Sequence, residues 1–207
     1  MRNIAVYLLN SSLVVVLLFL SAFCKKQQVE RTYYYSVISK GDTIPHVFFA
    51  TAISENNGIR KVIQYRYSLD KNAIVDTLIE YYKLKDKELY KLRNQNDHEG
   101  ECYLTVKSDT CVVFNHLDPI LNVALCTKHC FIGRKTVKIG QETDDVETYV
   151  FIKEVGQQES VTSKVYYNKS FILVKEEYVK GFSSEFRREL VNNIPEGFAF
   201  LLNSNNR

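Results

Sequence analysis

Tryptophan is missing from this chain, methionine occurs once and proline only three times among 207 residues. With just eight glycines as well, the composition excludes a collagen-type repeat and a Pro/Gly-rich disordered chain. Charge of one sign is also scarce. The 27 basic and 24 acidic residues leave a net +3. Nucleic-acid binding needs a basic stripe, and here Lys and Arg are interspersed with Asp and Glu, so nucleic acid is not an expected partner. No Gly-x-Ser-x-Gly elbow and no Gly-rich phosphate loop occurs. With no catalytic motif on the page, the expectation is a protein that is not an enzyme and needs no cofactor or metal.

What is present is a globular composition, 45% hydrophobic and 25% charged. Fourteen Tyr and twelve Phe tilt it towards pleated, half-buried surfaces. A chain of this length buries about 70% of the surface its unfolded form exposes, enough for one domain without a metal or a disulfide.

The beginning reads as an export segment. Arg2 supplies positive charge, Leu13 to Leu20 is an unbroken apolar run, and Ser21-Ala22 is a small-residue patch after it. Leu20-Ser21-Ala22-Phe23-Cys24 resembles the lipobox of bacterial lipoproteins, with Phe23 where Gly, Ala or Ser is usual. The resemblance implies a signal peptide over residues 1–23, lipidation of Cys24 by palmitate-type acyl chains, and a tether over 24–32 that begins Lys25-Lys26-Gln27-Gln28. Two other readings stand beside it. Ile4 to Phe23 is long enough for a membrane anchor, although Asn10-Ser11-Ser12 interrupts it, and a plain secretory peptide would be cleaved near Ala22. All three place the remainder outside the cytoplasm or on a membrane.

From Tyr33 to Arg207 the chain reads as a single β-rich domain. Short runs such as Val47 to Ile53, Ile59 to Leu69, Thr77 to Leu84 and Glu88 to Arg93 alternate with turn signals. Asn57-Gly58, Lys85-Asp86-Lys87, Lys107-Ser108-Asp109 and Asn168-Lys169 are expected hairpin turns. Two helices are expected. Asp118-Pro119 resembles an N-cap followed by Pro at the first helical position, with an apolar stripe from Ile120 to Cys126. Ser183-Ser184 precedes Glu185 to Asn193, where Phe186 and Leu190 are four apart, and Pro195 follows. The fold class is therefore mainly β (α+β): an antiparallel meander curled into a half-barrel or sandwich with two short helices.

Cys102, Cys111, Cys126 and Cys130 form an even set in an exported chain and are disulfide candidates. With Lys107 to Thr110 as a hairpin turn, Val106 would face Cys111 and Cys102 would face Asn115, too far apart to bond. A bond to the Cys126/Cys130 pair is favoured. Three residues separate Cys126 from Cys130, which fits neither zinc nor thioredoxin-type spacing, even with His129 between them. His46, His98 and His116 stand alone in the sequence. Asp144-Asp145 reads as a turn and Glu176-Glu177 as a solvated strand edge. Asp42-Thr43-Ile44 and Asp76-Thr77-Leu78 resemble an O-glycosylation acceptor, with an ordinary strand edge as the favoured reading.

The order of curling strands, with a late one from Phe171 to Val179, is faintly similar to the LolA/LolB-type lipoprotein carriers. Two roles follow: a non-enzymatic envelope lipoprotein that binds a protein partner or scaffolds, or a carrier of a lipid or other apolar ligand in a concave sheet. A hydrolase with scattered site residues is the third.

Overall fold

In the computed structural model the described residues are 30–39, 47–118, 123–138, 145–156, 161–180 and 186–191. Among them every regular element is a strand. They are β1 Glu30–Ser39, β2 Val47–Asn56, β3 Ile59–Ser68, β4 Ala73–Lys85, β5 Glu88–Leu92 and β6 Glu101–Thr105 in the first half. The second half holds β7 Cys111–Asp118, β8 Val123–Lys138, β9 Asp145–Val155, β10 Val161–Asn168, β11 Leu173–Lys180 and β12 Phe186–Leu190.

All pairs are antiparallel, in the order β6-β5-β4-β3-β2-β1-β12-β11-β10-β9-β8-β7. The first and last strands thus pair in the middle of the sheet, and consecutive β6 and β7 are its two edges. Those edges meet. The ring of Tyr103 on β6 lies 5.7 Å from that of Phe114 on β7 and 4.7 Å from that of His129 on β8. The sheet is a nearly closed twelve-stranded barrel with one seam. Closure removes the exposed edges that an open sheet of this size would present to other chains.

The local chemistry explains the hairpins. Asn57 and Gly58 both take positive φ (51° and 76°), the mirror-image turn that matches strand twist, and Asp86 and Lys87 do the same at 48° and 63°. Because the chain runs up and down, the turns at 57–58, 86–87, 107–110 and 169–172 share one end with the start of β1. The turn 69–72 and the loop 93–100 lie at the other end.

Four expectations are corrected. The helix expected after Asp118 is not formed where it is described, since Val123 to Cys126 opens β8, paired with β7 from Val123↔Asp118 to Cys126↔Asn115. Of the helix expected over Glu185 to Asn193, Phe186–Leu190 is strand β12, paired with β1 through Tyr35↔Leu190 and with β11 through Glu176↔Arg188. A spacing of four is also an even number, so Phe186 and Leu190 suit either period. The sheet needs β12 to join its two halves, and this tertiary demand overrides local propensity. Third, the chain does turn between β6 and β7, but the two strands are not ladder partners. Fourth, β1 begins at Glu30, so the last three residues of the expected tether are strand.

Paired residues share a face, so the registers identify the barrel interior. Towards the end with the turn 57–58 it is filled by Ile53, Val62, Tyr82, Leu89, Leu104, Tyr149, Phe151, Phe171 and Ile172. Phe151 is fully buried and packs against Phe131 and Tyr167 at ring separations of 5.5 and 5.9 Å. Large aromatic side chains dominate such a core through buried area. The same end is tied across the barrel by Arg60 of β3, which donates to the carbonyl of Ser170 at 2.6 Å.

On the outer face, Lys164, Lys175, Glu177, Arg187 and Glu189 point away from this core on three adjacent strands. A membrane-spanning barrel would carry its apolar band there. No helix of the described residues is long and apolar enough to cross a membrane. Also on the outer face, Cys111 and Cys130 are register partners and form a disulfide, with Cα atoms 4.1 Å apart. Cys102 and Cys126 are free and half-buried.

A candidate ligand cleft at the barrel mouth

Among the described residues, the other end of the interior is open. Here β4, β5 and β6 face β7, β8 and β9 across the seam, and a cleft of about 1130 Å³ opens between them. Its walls include Leu78, Glu80, Lys91, Phe114, Leu125 and Val155. One lip is the loop 93–100. The Asp97 carboxylate accepts hydrogen bonds from the backbone N–H groups of Arg93, Glu99 and Gly100 at 3.0, 3.1 and 3.3 Å. Gly100 has φ +64°, and a Cβ there would sit 2.9 Å from the Lys91 backbone oxygen, so this lip favours glycine.

The centre of the cleft is an ion pair set against rings. Lys91 Nζ lies 2.6 Å from Glu80 Oε1, and the Tyr82 hydroxyl donates to Glu80 Oε2 at 2.9 Å. The same ammonium stands 5.1 Å from the Phe114 ring centre and 5.7 Å from that of Tyr103. His116 stacks on Phe114 at 5.6 Å and 23°. A run of aromatic faces thus follows the seam outward from Tyr82 through Tyr103 and Phe114 to His116.

On the β9 side stands a second charged group. Lys153 of β9 lines the cleft, and its Nζ is 3.2 Å from Glu176 Oε1 of β11. Ser163 donates its hydroxyl to the same oxygen at 2.9 Å, and Arg188 of β12 stands 3.9 Å from Oε2. Burial works to raise the Glu176 pKa, but Lys153, Arg188 and the hydroxyl overcome it and hold the carboxyl ionised, down at about 2. Burial lowers the Lys153 pKa, and Glu176 more than reverses that. Burial pushes Tyr103 up to about 12.

His129 sits beside this group, 1% exposed, with neither ring nitrogen hydrogen-bonded. Burial, with Lys153 adding repulsion, lowers its pKa to about 3, so the imidazole is neutral. Arg188 Nε is likewise buried without a hydrogen-bond partner, and its guanidinium lies 4.3 Å from the Phe49 ring centre.

None of the candidate cysteines lines this cleft. Cys24, His46 and the Asp42-Thr43-Ile44 tripeptide lie outside the described residues. His98 is in the exposed loop 93–100, Asp76-Thr77-Leu78 is part of β4, and Asp145 is the exposed first residue of β9. The reading of Glu176-Glu177 as a solvated edge is corrected, because β11 lies between β10 and β12 and Glu176 is 2% exposed. Among the described residues no group of three His, Cys, Asp or Glu could hold a metal ion. The sequence reading missed Glu80, Lys91 and Lys153. Their signal is a charge inside an apolar strand, as in Ile79-Glu80-Tyr81 and Tyr90-Lys91-Leu92.

Comparison with protein families, with curated proteins and with solved structures finds no match for this chain.

Proposed function

We propose that this protein is an exported binding protein of the cell envelope, non-enzymatic and held to a membrane by a lipid on Cys24, with its ligand seated in the open mouth of the barrel. The observation that carries the reading is the cleft of about 1130 Å³. Concave sites that mix apolar and aromatic walls with a few placed polar groups are where small molecules bind, and barrel mouths are a usual place for them. Leu78, Phe114, Leu125 and Val155 give apolar contact, while Lys91, Glu80 and Lys153 give direction.

The ligand is small and partly polar. A carrier that threads an acyl chain through the barrel is disfavoured, because Phe151, Phe171, Tyr149 and Leu104 fill the interior beneath the cleft. The start of β1 and the mouth lie at opposite ends of the barrel. β1 enters at Glu30 beside the filled end. Six residues of chain from Cys24 span at most about 20 Å. A lipid on Cys24 would therefore hold the filled end near the membrane and turn the mouth away from it.

The test is a thermal-melt screen of water-soluble small molecules on the full chain and on Leu125→Trp, which puts a bulkier ring on the cleft wall. A ligand at a hundred times its Kd stabilises by about 2.7 kcal/mol. In a domain of this size that moves Tm by roughly 5–10 °C. The reading expects compounds that raise Tm of the parent and not of the variant. Identical responses of the two proteins to every compound contradict it. Separately, the mass of the N-terminal peptide reads the anchor. An acylated cysteine at position 24 supports it, and an unmodified Cys24 sinks it.

A further inference from the structure

The charge count at the cleft floor is uneven. Lys91 and Glu80 cancel. Beside them, among the described residues, a single carboxylate, Glu176, faces two cations, Lys153 and Arg188. Buried charges are normally matched, because an uncompensated one is costly in a low-dielectric interior. The surplus is open to the cleft through Lys153, whose side chain is 25% exposed while that of Glu176 is 3% exposed. Its ammonium has three protons and gives one to Glu176. Next to it on β8 stands its register partner His129, buried, with both nitrogens unpartnered. The neutral imidazole carries one N–H donor and one acceptor. The rim has the opposite sign. Among the described residues, Glu99 and Glu101 are exposed on the loop side, against one exposed cation, Arg93.

Resting on the reading of the mouth as a ligand site, we infer that the bound molecule carries a single carboxylate, or a carboxylate-like monoanionic group, which enters first and lands on Lys153. It supplies the negative charge that the floor lacks. A planar or apolar body fits above it, against Phe114 and Leu125, within the run of rings along the seam. The acidic rim disfavours a second anionic group at the outer end of the ligand. The specificity is thus for a small organic monoanion, or for a zwitterion with its ammonium outward, over a polyanion.

The experiment is calorimetric titration of the full chain with acid and amide pairs of equal shape: acetate and acetamide, benzoate and benzamide, 3-phenylpropanoate and 3-phenylpropanamide. The ammonium donates to either oxygen, but only the carboxylate adds an opposite charge to that bond, worth about tenfold or more in affinity. The inference expects the ring-bearing acids to bind about tenfold tighter than their amides. Lys153→Met should weaken the acids far more than the amides and bring the two within about twofold of each other. That variant leaves Glu176 matched one-to-one with Arg188, so the charge count itself favours its folding. On the parent protein alone, salt at about 1 M should weaken the acids and spare the amides. Equal binding of acid and amide, or an acid preference that survives Lys153→Met, overturns the anion assignment and leaves the mouth a binding site. Binding of none of the six overturns the assignment, and a screen that also shows no difference at Leu125→Trp removes the site as well.

Discussion

Lys153 and Glu176, 23 residues apart in sequence, meet at 3.2 Å across β10, which lies between their strands. Removing either partner should not cost the same. Glu176→Gln leaves Lys153 and Arg188 close together without a counter-charge, and breaking a buried pair in this way costs about 3–5 kcal/mol. Lys153→Met leaves Glu176 with Arg188 and should cost clearly less. Urea unfolding of the two variants measures the difference. Equal losses would contradict the three-residue charge count.

The same carboxylate fixes a pH dependence. Its pKa is about 2 when folded and 4.5 as the ordinary value. A depressed carboxylate stabilises above its unfolded pKa, and the contribution is lost as pH falls from about 4.5 towards 2, up to about 3 kcal/mol. Glu88 on the outer face is also held at about 2 by Lys107 and Tyr90, and Asp97, Glu147 and Glu177 are lowered too, so the parent's fall in this window is shared. The contribution of Glu176 is read by difference: the Glu176→Gln curve should fall less steeply below pH 4.5 than that of the parent.

His129 acts in a higher window. Its folded pKa is about 3 against an ordinary 6.5. The unfolded chain takes up this proton first, so stability is complete above pH 6.5 and declines as pH falls, by up to about 5 kcal/mol in total. Between pH 6.5 and 4.5 Glu176 is still silent. His129→Leu should flatten the stability curve in that interval. A parent curve already flat there would show that the imidazole is not buried and neutral.

Thiol counting separates the cysteines. With Cys111 and Cys130 joined, the denatured, unreduced chain should titrate two free thiols, Cys102 and Cys126, if Cys24 is acylated, and three if it is not. Four or five would exclude the disulfide. Reduction should destabilise the barrel by roughly 3 kcal/mol for a loop of this size.

In the filled half of the barrel, Phe151→Ala should cost about 3–5 kcal/mol, since the ring is fully buried among Phe131 and Tyr167. Val113→Ala, at an outward position 57% exposed, should stay within about 0.5 kcal/mol. Guanidinium unfolding midpoints would show both.

The hairpins were legible because their signals are local. Asn57-Gly58 needs only its own two residues to turn the chain. The β-rich meander followed from the same turns and from the abundance of Tyr and Phe. The two expected helices show where local reading fails, because Phe186 to Leu190 is strand only by virtue of β1 and β11 on either side. The disfavoured Cys102–Cys111 bond is not formed, because Cys111 is joined to its register partner Cys130 and Cys102 is free. The cleft was out of reach for a related reason. Lys91 on β5 and Phe114 on β7 are not ladder partners, and only closure of the sheet across the seam brings them within 5.1 Å. Glu176 and Glu177 are adjacent, and only strand register decides that the first points inward.

The most direct test of the ligand mouth is native mass spectrometry of the chain extracted with mild detergent from the cells that make it, run beside Phe114→Ala. The account expects an added mass of drug-like size on the parent, absent or strongly reduced on the variant, whose cleft has lost the ring between Tyr103 and His116. A bare chain in both samples, or the same added mass on both, would contradict it.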